Sequence, residues 1–142
     1  MEITTKIFSE KRNETGALAV VESGEGKDFS FPIRRVYYIY DVAQGERRGF
    51  HAHKKLEQYL ICVHGSCKIL LDNGKEQEVV QLDKPNEGLY VGPGFWREMY
   101  DFSEGTVLLV LASEHYDEKD YIRNYQDFLM YKEEINNESP IC

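Results

Sequence analysis

Apolar and aromatic residues recur in short runs along most of the chain, and turn residues separate one run from the next. Runs such as "RRVYYIYDV", "EQYLICVHG" and "TVLLVLAS" are rich in β-branched and aromatic residues, which favour strands. The "DNG" between two apolar runs is typical of a hairpin, because Asn-Gly accepts the positive φ angles of a type I′ turn. Turns spaced by roughly 8–12 residues predict a sandwich or barrel of strands over about residues 17–112.

The period of the apolar positions changes near the C-terminus. In "DEKDYIRNYQDFLMYKEEIN" they recur at helical spacing, which predicts one amphipathic helix over about residues 117–135. No linker, internal repeat or low-complexity tract interrupts the chain, and 142 residues suit a single domain. The pattern therefore predicts one all-β domain, residues 1–142, with a helix packed on the outside of its barrel.

Charge and composition narrow the classes of partner. The formal net charge of -8 argues against nonspecific binding of nucleic acid, because basic side chains supply most of that affinity. A local basic cluster could still bind an anion, and a solvated charged face is the alternative interpretation. The cluster consists of Arg34, Arg35, Arg47, Arg48, Lys54 and Lys55.

Nothing in the chain predicts a membrane or secretory destination. The start, "MEITTKIFSEKRNE", has no basic region followed by an apolar one, and the run "TVLLVLA" is too short to span a bilayer. The cysteines are odd in number and form no CxxC, so we expect neither a disulfide framework nor a zinc site. These features predict a soluble, cytoplasmic protein with no membrane partner.

The His-x-His at residues 51 and 53 is the first candidate for chemistry. Side chains alternate between the faces of a strand, so His51 and His53 point the same way. Two histidines on one face could bind a divalent metal or act as acid and base in a cavity. The alternative is that one or both lie at the surface of an edge strand.

The strings "RGFHAHKKLEQ" and "VHGSCKILLDNG" resemble the first motif of the cupin superfamily, which implies a jelly-roll barrel. A metal-binding cupin takes a third ligand from a glutamate after the His-x-His, and here that position holds Gln58, with Glu57 adjacent. The fourth ligand is a histidine in a second motif, which corresponds to "VGPGFWREM" and has Arg97 or Glu98 instead. We therefore expect no metal and no other cofactor.

Longer strings are similar to the bacterial dTDP-4-keto-6-deoxyhexose 3,4-ketoisomerases. The resemblance runs in order from about residue 29 to residue 130 and includes "RRGFHAHKKLEQYLICVHGSCKI" and "GLYVGPGFWREMYDF". It implies a metal-free cupin homodimer, with exchanged N-terminal strands, that acts on dTDP-4-keto-6-deoxyglucose. Its 3-keto product would supply an aminotransferase that makes 3-amino-3,6-dideoxysugars for bacterial glycans or antibiotics.

The implied reaction assigns roles to three side chains. Histidine titrates near neutral pH, and the family pattern points to His51 as the base that removes the proton from C3. His53 would pass a proton between O3 and O4, hold the enediolate, or serve only the structure. Tyr37 shares a strand face with Arg35 and would act on the sugar oxygens as a donor or as a proton relay, with core packing as the alternative.

Other side chains are expected to bind the nucleotide. Arg35 and Arg48 are candidates for the pyrophosphate, because guanidinium forms bidentate bonds with phosphate oxygens. Trp96, Tyr90 or a tyrosine of a second subunit would stack on thymine. Arg97 would stabilise the enediolate or order a water on one face of C4. It favours the gluco over the galacto product because a guanidinium is too basic to give C4 its proton.

Three other functions remain open at this point. A related cupin could epimerise the same class of sugar nucleotide at C3 and C5 with similar histidine chemistry. A cupin could also bind a sugar nucleotide without catalysis, which would need the arginines and aromatic residues but not His51 and Tyr37. A metal-dependent oxygenase is disfavoured by the missing histidine.

Overall fold

Antiparallel strands make up most of the computed structural model, which describes residues 1–138. In chain order the strands are β1 (Thr5–Ile7), β2 (Ser9–Asn13), β3 (Gly16–Val20), β4 (Arg35–Tyr40), β5 (Arg48–His53), β6 (Gln58–His64), β7 (Cys67–Asp72), β8 (Gln77–Leu82), β9 (Glu87–Val91), β10 (Trp96–Tyr100), β11 (Val107–Ala112) and β12 (Tyr121–Ile122). A short 3-10 helix (Glu118–Asp120) precedes β12, and one α-helix, α1 (Tyr125–Glu138), follows it. No helix within the described residues is long and apolar enough to cross a membrane.

The strands form two five-stranded sheets and a separate hairpin. The first sheet has the order β1-β9-β6-β11-β4, the second has the order β12-β5-β10-β7-β8, and β2 pairs only with β3. Alternate residues of the two sheets face each other and form the main core, which includes Leu60, Ile69, Leu89, Met99 and Leu108. This is the jelly-roll arrangement of the cupin fold that the resemblance implies.

The barrel begins earlier in the chain than about residue 17. Strand β1 already pairs with β9 at the edge of the first sheet. Strand β3, which lies in the predicted range, belongs to neither barrel sheet, and every residue of β2 and β3 is exposed. The apolar run around Leu18 was correctly predicted as a strand, but its partner is β2 and it adds nothing to the core of this chain.

The C-terminal helix begins at Tyr125, so its predicted start at about residue 117 is wrong. The residues before Tyr125 pair with β5 instead, with Tyr121 opposite His53 and Ile122 opposite Ala52. Their backbone groups are therefore satisfied by a strand and do not need a helix. The Oδ1 atom of Asn124 accepts from the N–H of Asp127 at 3.0 Å and caps the N-terminus of α1.

Helix α1 packs on the outer face of the second sheet. Phe128 is fully buried there against Trp96, Ala52 and Ile122. The Tyr125 hydroxyl donates to the Oδ2 atom of Asp72 at 2.6 Å, which gives a buried carboxylate a partner. The helix therefore stabilises the sheet that carries the His-x-His and leaves the inner face of that sheet open to the barrel.

Candidate active site

An irregularity in β5 places the His-x-His on the same face as an arginine. In the register with β10, Arg97 pairs with His51 and Glu98 pairs with Gly49, so Phe50 is an extra residue in β5. Gly49 has φ 94° and Phe50 has φ 56°, and a Cβ on Gly49 would lie 2.8 Å from a backbone oxygen of β10. Because of this bulge, the exposed Arg48 lies on the same side of β5 as His51 and lines a cavity with it, which simple alternation would not allow.

The two histidine rings meet edge to face, with their centroids 4.9 Å apart. The Nδ1 atom of His51 lies 3.0 Å from the carbonyl oxygen of Gly49, and the Nδ1 atom of His53 lies 3.1 Å from Oδ2 of Asp120. Both oxygens can only accept, so each neutral ring carries its hydrogen on Nδ1. The Nε2 atoms are buried and have no hydrogen-bond partner among residues 1–138. Each histidine therefore keeps a free lone pair inside the barrel.

Burial keeps both rings neutral. It lowers the pKa of His51 from 6.5 to about 4, and the positive charge of Arg97 lowers it further. The same two causes lower the pKa of His53 to about 2. Near neutral pH both histidines are in the form that can accept a proton.

A hydrogen-bonded chain joins Arg97, Gln58 and Tyr37 across the barrel. The Nη1 atom of Arg97 donates to Oε1 of Gln58, and Nε2 of Gln58 donates to the Tyr37 hydroxyl oxygen at 2.8 Å. A guanidinium can only donate, which fixes the amide oxygen toward Arg97 and the amide NH₂ toward Tyr37. The phenol oxygen is thus an acceptor, and its own hydrogen is free to donate elsewhere. Burial raises the pKa of Tyr37, so the phenol stays neutral.

The metal-ligand positions of a cupin do not suit a metal in this chain. Gln58 faces inward and Glu57 accepts from the Tyr90 hydroxyl on the outside, so the amide takes the position of the acidic ligand. Arg97, completely buried, takes the place of the fourth ligand, and its charge would repel a divalent ion. Among the described residues no group of three or more histidine, cysteine or acidic side chains could hold a metal ion.

Two adjoining cavities open next to the histidines. The first, of about 400 Å³, is lined by Tyr37, Arg48 and His51, and the second, of about 450 Å³, is lined by His53. Arg35 and Tyr121 line both cavities. The Tyr121 ring contacts both histidines, with its centroid 5.1 Å from the His51 ring and 4.3 Å from the His53 ring.

The predicted anion-binding arginines differ from their neighbours in their contacts. Arg35 lies over the ring of Tyr37, and its buried Nε has no hydrogen-bond partner among the described residues. Arg34 and Arg47, by contrast, form ion pairs with glutamates at the surface. A buried donor without a partner is costly unless a ligand satisfies it, which favours Arg35 as a ligand-binding residue.

Trp96 and Tyr90 do not line either of these two cavities in the single chain, so their contact with thymine stays a prediction. Trp96 is 3% exposed beneath α1, because it neighbours the inward-facing Arg97 and so points outward. Tyr90 lies on the outer face of the first sheet, where its hydroxyl donates to Glu57 at 2.7 Å. Strand parity relative to Arg97 already places Trp96 on the outer face of β10.

Two residues at the site were missed from the sequence. Asp120 and Tyr121 were assigned to the helix, whereas the structure places one against His53 and the other against both histidine rings. Gln58 was considered only as a ligand position for a metal. No local signal in the sequence distinguishes a short strand at Tyr121 from the first turn of a helix.

Comparison with known proteins shows which family the chain resembles. The family model FdtA, described as WxcM-like, C-terminal, matches residues 1–133. The chain is 51% identical over 131 residues to TDP-4-oxo-6-deoxy-alpha-D-glucose-3,4-oxoisomerase of Aneurinibacillus thermoaerophilus, covering 92% of this chain and 93% of the relative.

Solved structures give the same result. A variant of the 3,4-ketoisomerase QdtA of Thermoanaerobacterium thermosaccharolyticum, with one histidine replaced by asparagine and TDP-4-keto-6-deoxyglucose bound, has 45% identity and a TM-score of 0.87, covering 93% of this chain and 94% of its own. The TDP-quinovose 3,4-ketoisomerase WlaRB of Campylobacter jejuni has 47% identity and a TM-score of 0.84, covering 90% and 97%.

Proposed function

The chain belongs to the family of sugar-nucleotide 3,4-ketoisomerases, and on that premise we propose that it converts dTDP-4-keto-6-deoxyglucose to a dTDP-3-keto-6-deoxyhexose. The observation that carries the proposal is the pair of buried, unpartnered Nε2 atoms of His51 and His53 beside a phenol donor. Such groups can move protons between carbon and oxygen without a redox cofactor. The 3-keto product would then be aminated on the way to a 3-amino-3,6-dideoxysugar.

His51 is the proposed base for the first step. Its Nε2 lone pair takes the proton from C3, which is acidic because of the adjacent C4 carbonyl. The C3–H electrons form a double bond between C3 and C4, and O4 acquires negative charge. The neutral Tyr37 phenol, whose hydrogen is free, and the buried charge of Arg97 are suited to stabilise that oxygen.

His53 is the proposed relay in the second step. O4 gains a proton and O3 loses one, the C3 carbonyl forms, and the electrons of the double bond take up a proton at C4. His53 has one free lone pair and lies 4.9 Å, ring centre to ring centre, from His51. A group at that distance can reach the oxygens while His51 reaches the carbon.

The pyrophosphate is assigned to Arg35 and Arg48, which both line the first cavity. Neither forms an ion pair with an acidic side chain in residues 1–138, so their charges are available to an anion. We expect Arg48→Ala to raise KM for the sugar nucleotide at least tenfold. Arg47→Ala is the matched control, because that side chain pairs with Glu98 at the surface.

The product is proposed to have the gluco configuration. Burial lowers the pKa of Arg97 to about 10, so the guanidinium keeps its proton at neutral pH and does not deliver it to C4. The relative whose name includes TDP-quinovose, a 6-deoxyglucose, supports this choice at 47% identity. The coupling of the C4 proton in the product distinguishes the gluco from the galacto sugar.

A homodimer is proposed because apolar strand surfaces are left uncovered in the single chain. Tyr38 and Tyr40, on the outer face of edge strand β4, are 57% and 59% exposed, and Leu18 of the free hairpin is 57% exposed. A second copy that brings its hairpin to this face would bury them. Sedimentation of Tyr40→Glu against wild type tests this, with a monomeric variant expected and an unchanged dimer as the contrary result.

The cytoplasm is the proposed compartment. Cys62 and Cys67 are buried and free, which is the usual state of thiols in a reducing compartment.

The reaction itself is tested by proton NMR of dTDP-4-keto-6-deoxyglucose incubated with chelator-treated protein in D₂O. We expect a 3-keto product with deuterium at C4, and about a 10²–10⁴-fold slower reaction for His51→Asn. His64→Asn, at the surface of the first sheet, is the matched control and should react at the wild-type rate. Exchange at C5 with the ketone left at C4, or thymine signals that broaden without any reaction, would contradict the proposal.

A further inference from the structure

We propose that Asp120 is a positioning residue that holds His53 in the tautomer with its hydrogen on Nδ1, so that Nε2 presents a lone pair to the reacting sugar. The inference rests on the proposed function for its catalytic consequence. Its structural part, the tautomer of His53, can be tested without any substrate.

The carboxylate of Asp120 is held by the backbone that follows His53. Its Oδ1 atom accepts from the N–H of Lys55 at 2.8 Å, and Oδ2 accepts from the N–H of Leu56 at 3.3 Å. The Asp120 carbonyl oxygen also accepts from the N–H of Lys54 at 3.1 Å. Because these bonds fix the carboxylate relative to β5, the direction of the His53 ring is fixed as well.

The two histidines have different partners, which suits them to different tasks. His51 donates to the carbonyl of Gly49, a neutral dipole, whereas His53 donates to a carboxylate. When a ring takes a proton it becomes an imidazolium, and a fixed negative charge on the far nitrogen stabilises that state. Asp120 therefore stabilises the imidazolium state of His53, which burial and the charge of Arg97 disfavour.

A purely structural ion pair is the competing explanation. Asp120 is the last residue of the 3-10 helix and directly precedes β12, so the contact could serve only to attach this segment to β5. The two explanations differ in what an asparagine should do, because the amide is nearly isosteric but has one donor and one acceptor. A purely structural contact would tolerate the replacement of the carboxylate by an amide. The tautomer of His53 would change, because the amide offers a donor in place of an acceptor.

The informative variant is therefore Asp120→Asn. The stronger of the two backbone bonds, at 2.8 Å, should keep the amide oxygen on the N–H of Lys55, which leaves the NH₂ group facing His53. The Nδ1 atom must then accept, the ring hydrogen moves to Nε2, and the lone pair at the site is lost. We expect kcat to fall roughly 10²-fold or more with little change in KM, as for a lost general base.

The tautomer is read directly by two-dimensional ¹H–¹⁵N NMR that correlates ring nitrogens with ring carbon-bound protons. In wild type we expect the Nε2 signal of His53 in the range of an unprotonated nitrogen, and in Asp120→Asn in the N–H range. Asp117→Asn, which keeps an acceptor for the N–H of Lys119 in the preceding turn, is the matched control and should leave the tautomer unchanged.

Double variants separate positioning from damage to the fold. If Asp120 acts through His53, Asp120→Asn should slow a His53→Asn enzyme by less than about twofold. An Nδ1 hydrogen that persists in Asp120→Asn, or rate losses that multiply in the double variant, would overturn the inference. Failure of the ketoisomerase reaction in wild type would instead refute the proposed function, while the NMR spectrum still decides the role of Asp120.

Discussion

The buried histidines should make the protein less stable in acid, by an amount that their pKa values set. The perturbation is to replace both His51 and His53 with asparagine and to compare the free energy of unfolding at about pH 8 and about pH 5. The quantity of interest is the difference between the two proteins in that pH effect, because carboxylates elsewhere contribute to both and cancel.

The size of the effect follows from linkage. Both folded pKa values are lowered, to about 4 for His51 and about 2 for His53, from 6.5 in the unfolded chain. As the pH falls below 6.5 the unfolded state binds protons that the folded state does not, so stability is lost progressively down to each folded pKa. At about pH 5 this amounts to about 2 kcal/mol for each histidine, or about 4 kcal/mol for the pair.

Urea unfolding followed by the fluorescence of Trp96, which α1 covers, measures this at one fixed protein concentration. Wild type should lose about 4 kcal/mol more than the double variant between the two pH values. His64→Asn, which removes a histidine at the surface, should behave as wild type. A difference below about 1 kcal/mol would mean that the two rings titrate normally, and the reasoning on their neutral state would fail.

Three substitutions test other parts of the site and fold. Gln58→Glu should reduce kcat at least tenfold without altering the circular dichroism spectrum, because a carboxylate would accept the Tyr37 hydrogen; an unchanged kcat would show that this hydrogen is not used. Tyr125→Phe should lower the unfolding free energy by about 1–3 kcal/mol, measured in urea, because the buried Asp72 loses a donor, while the rate at low temperature stays unchanged. Gly49→Ala should lower both kcat and melting temperature, since its Cβ would lie 2.8 Å from a backbone oxygen at φ 94°; an active, equally stable variant would refute the need for the bulge.

Alternation and turn residues were enough to locate strand β4 and strands β6 to β11, whereas β5 was only assumed from the His-x-His. They could not show that β3 pairs away from the barrel, because an apolar strand looks the same in either environment. They also failed at residues 117–124, where apolar positions fit a helix and the segment pairs with β5 instead. The pairing with β5 determines the structure of that segment, and the local periodicity of the sequence contains no information on such pairing.

Strand parity correctly predicted which of the candidate site residues share a face of one strand. Tyr37 and Arg35 share a face of β4 as expected, and both line the first cavity with His51. Arg48 reaches the same cavity only because of the bulge at Phe50, which an isolated His-x-His does not reveal. Asp120 and Tyr121 come from a distant part of the chain, so only the fold could bring them to the histidines.

Gln58 and Arg97 occupy two positions that hold metal ligands in a metal-binding cupin. Their presence explains how this barrel can use its His-x-His for proton transfer. A metal ion would be bound by the imidazole lone pairs, and those are the atoms that the proposed reaction needs as bases. With Gln58 and Arg97 bonded to each other, the barrel keeps a fixed positive charge near the place where an oxyanion forms. That charge also lowers the pKa of His51 and His53, so the same substitution leaves both lone pairs free and keeps both rings unprotonated.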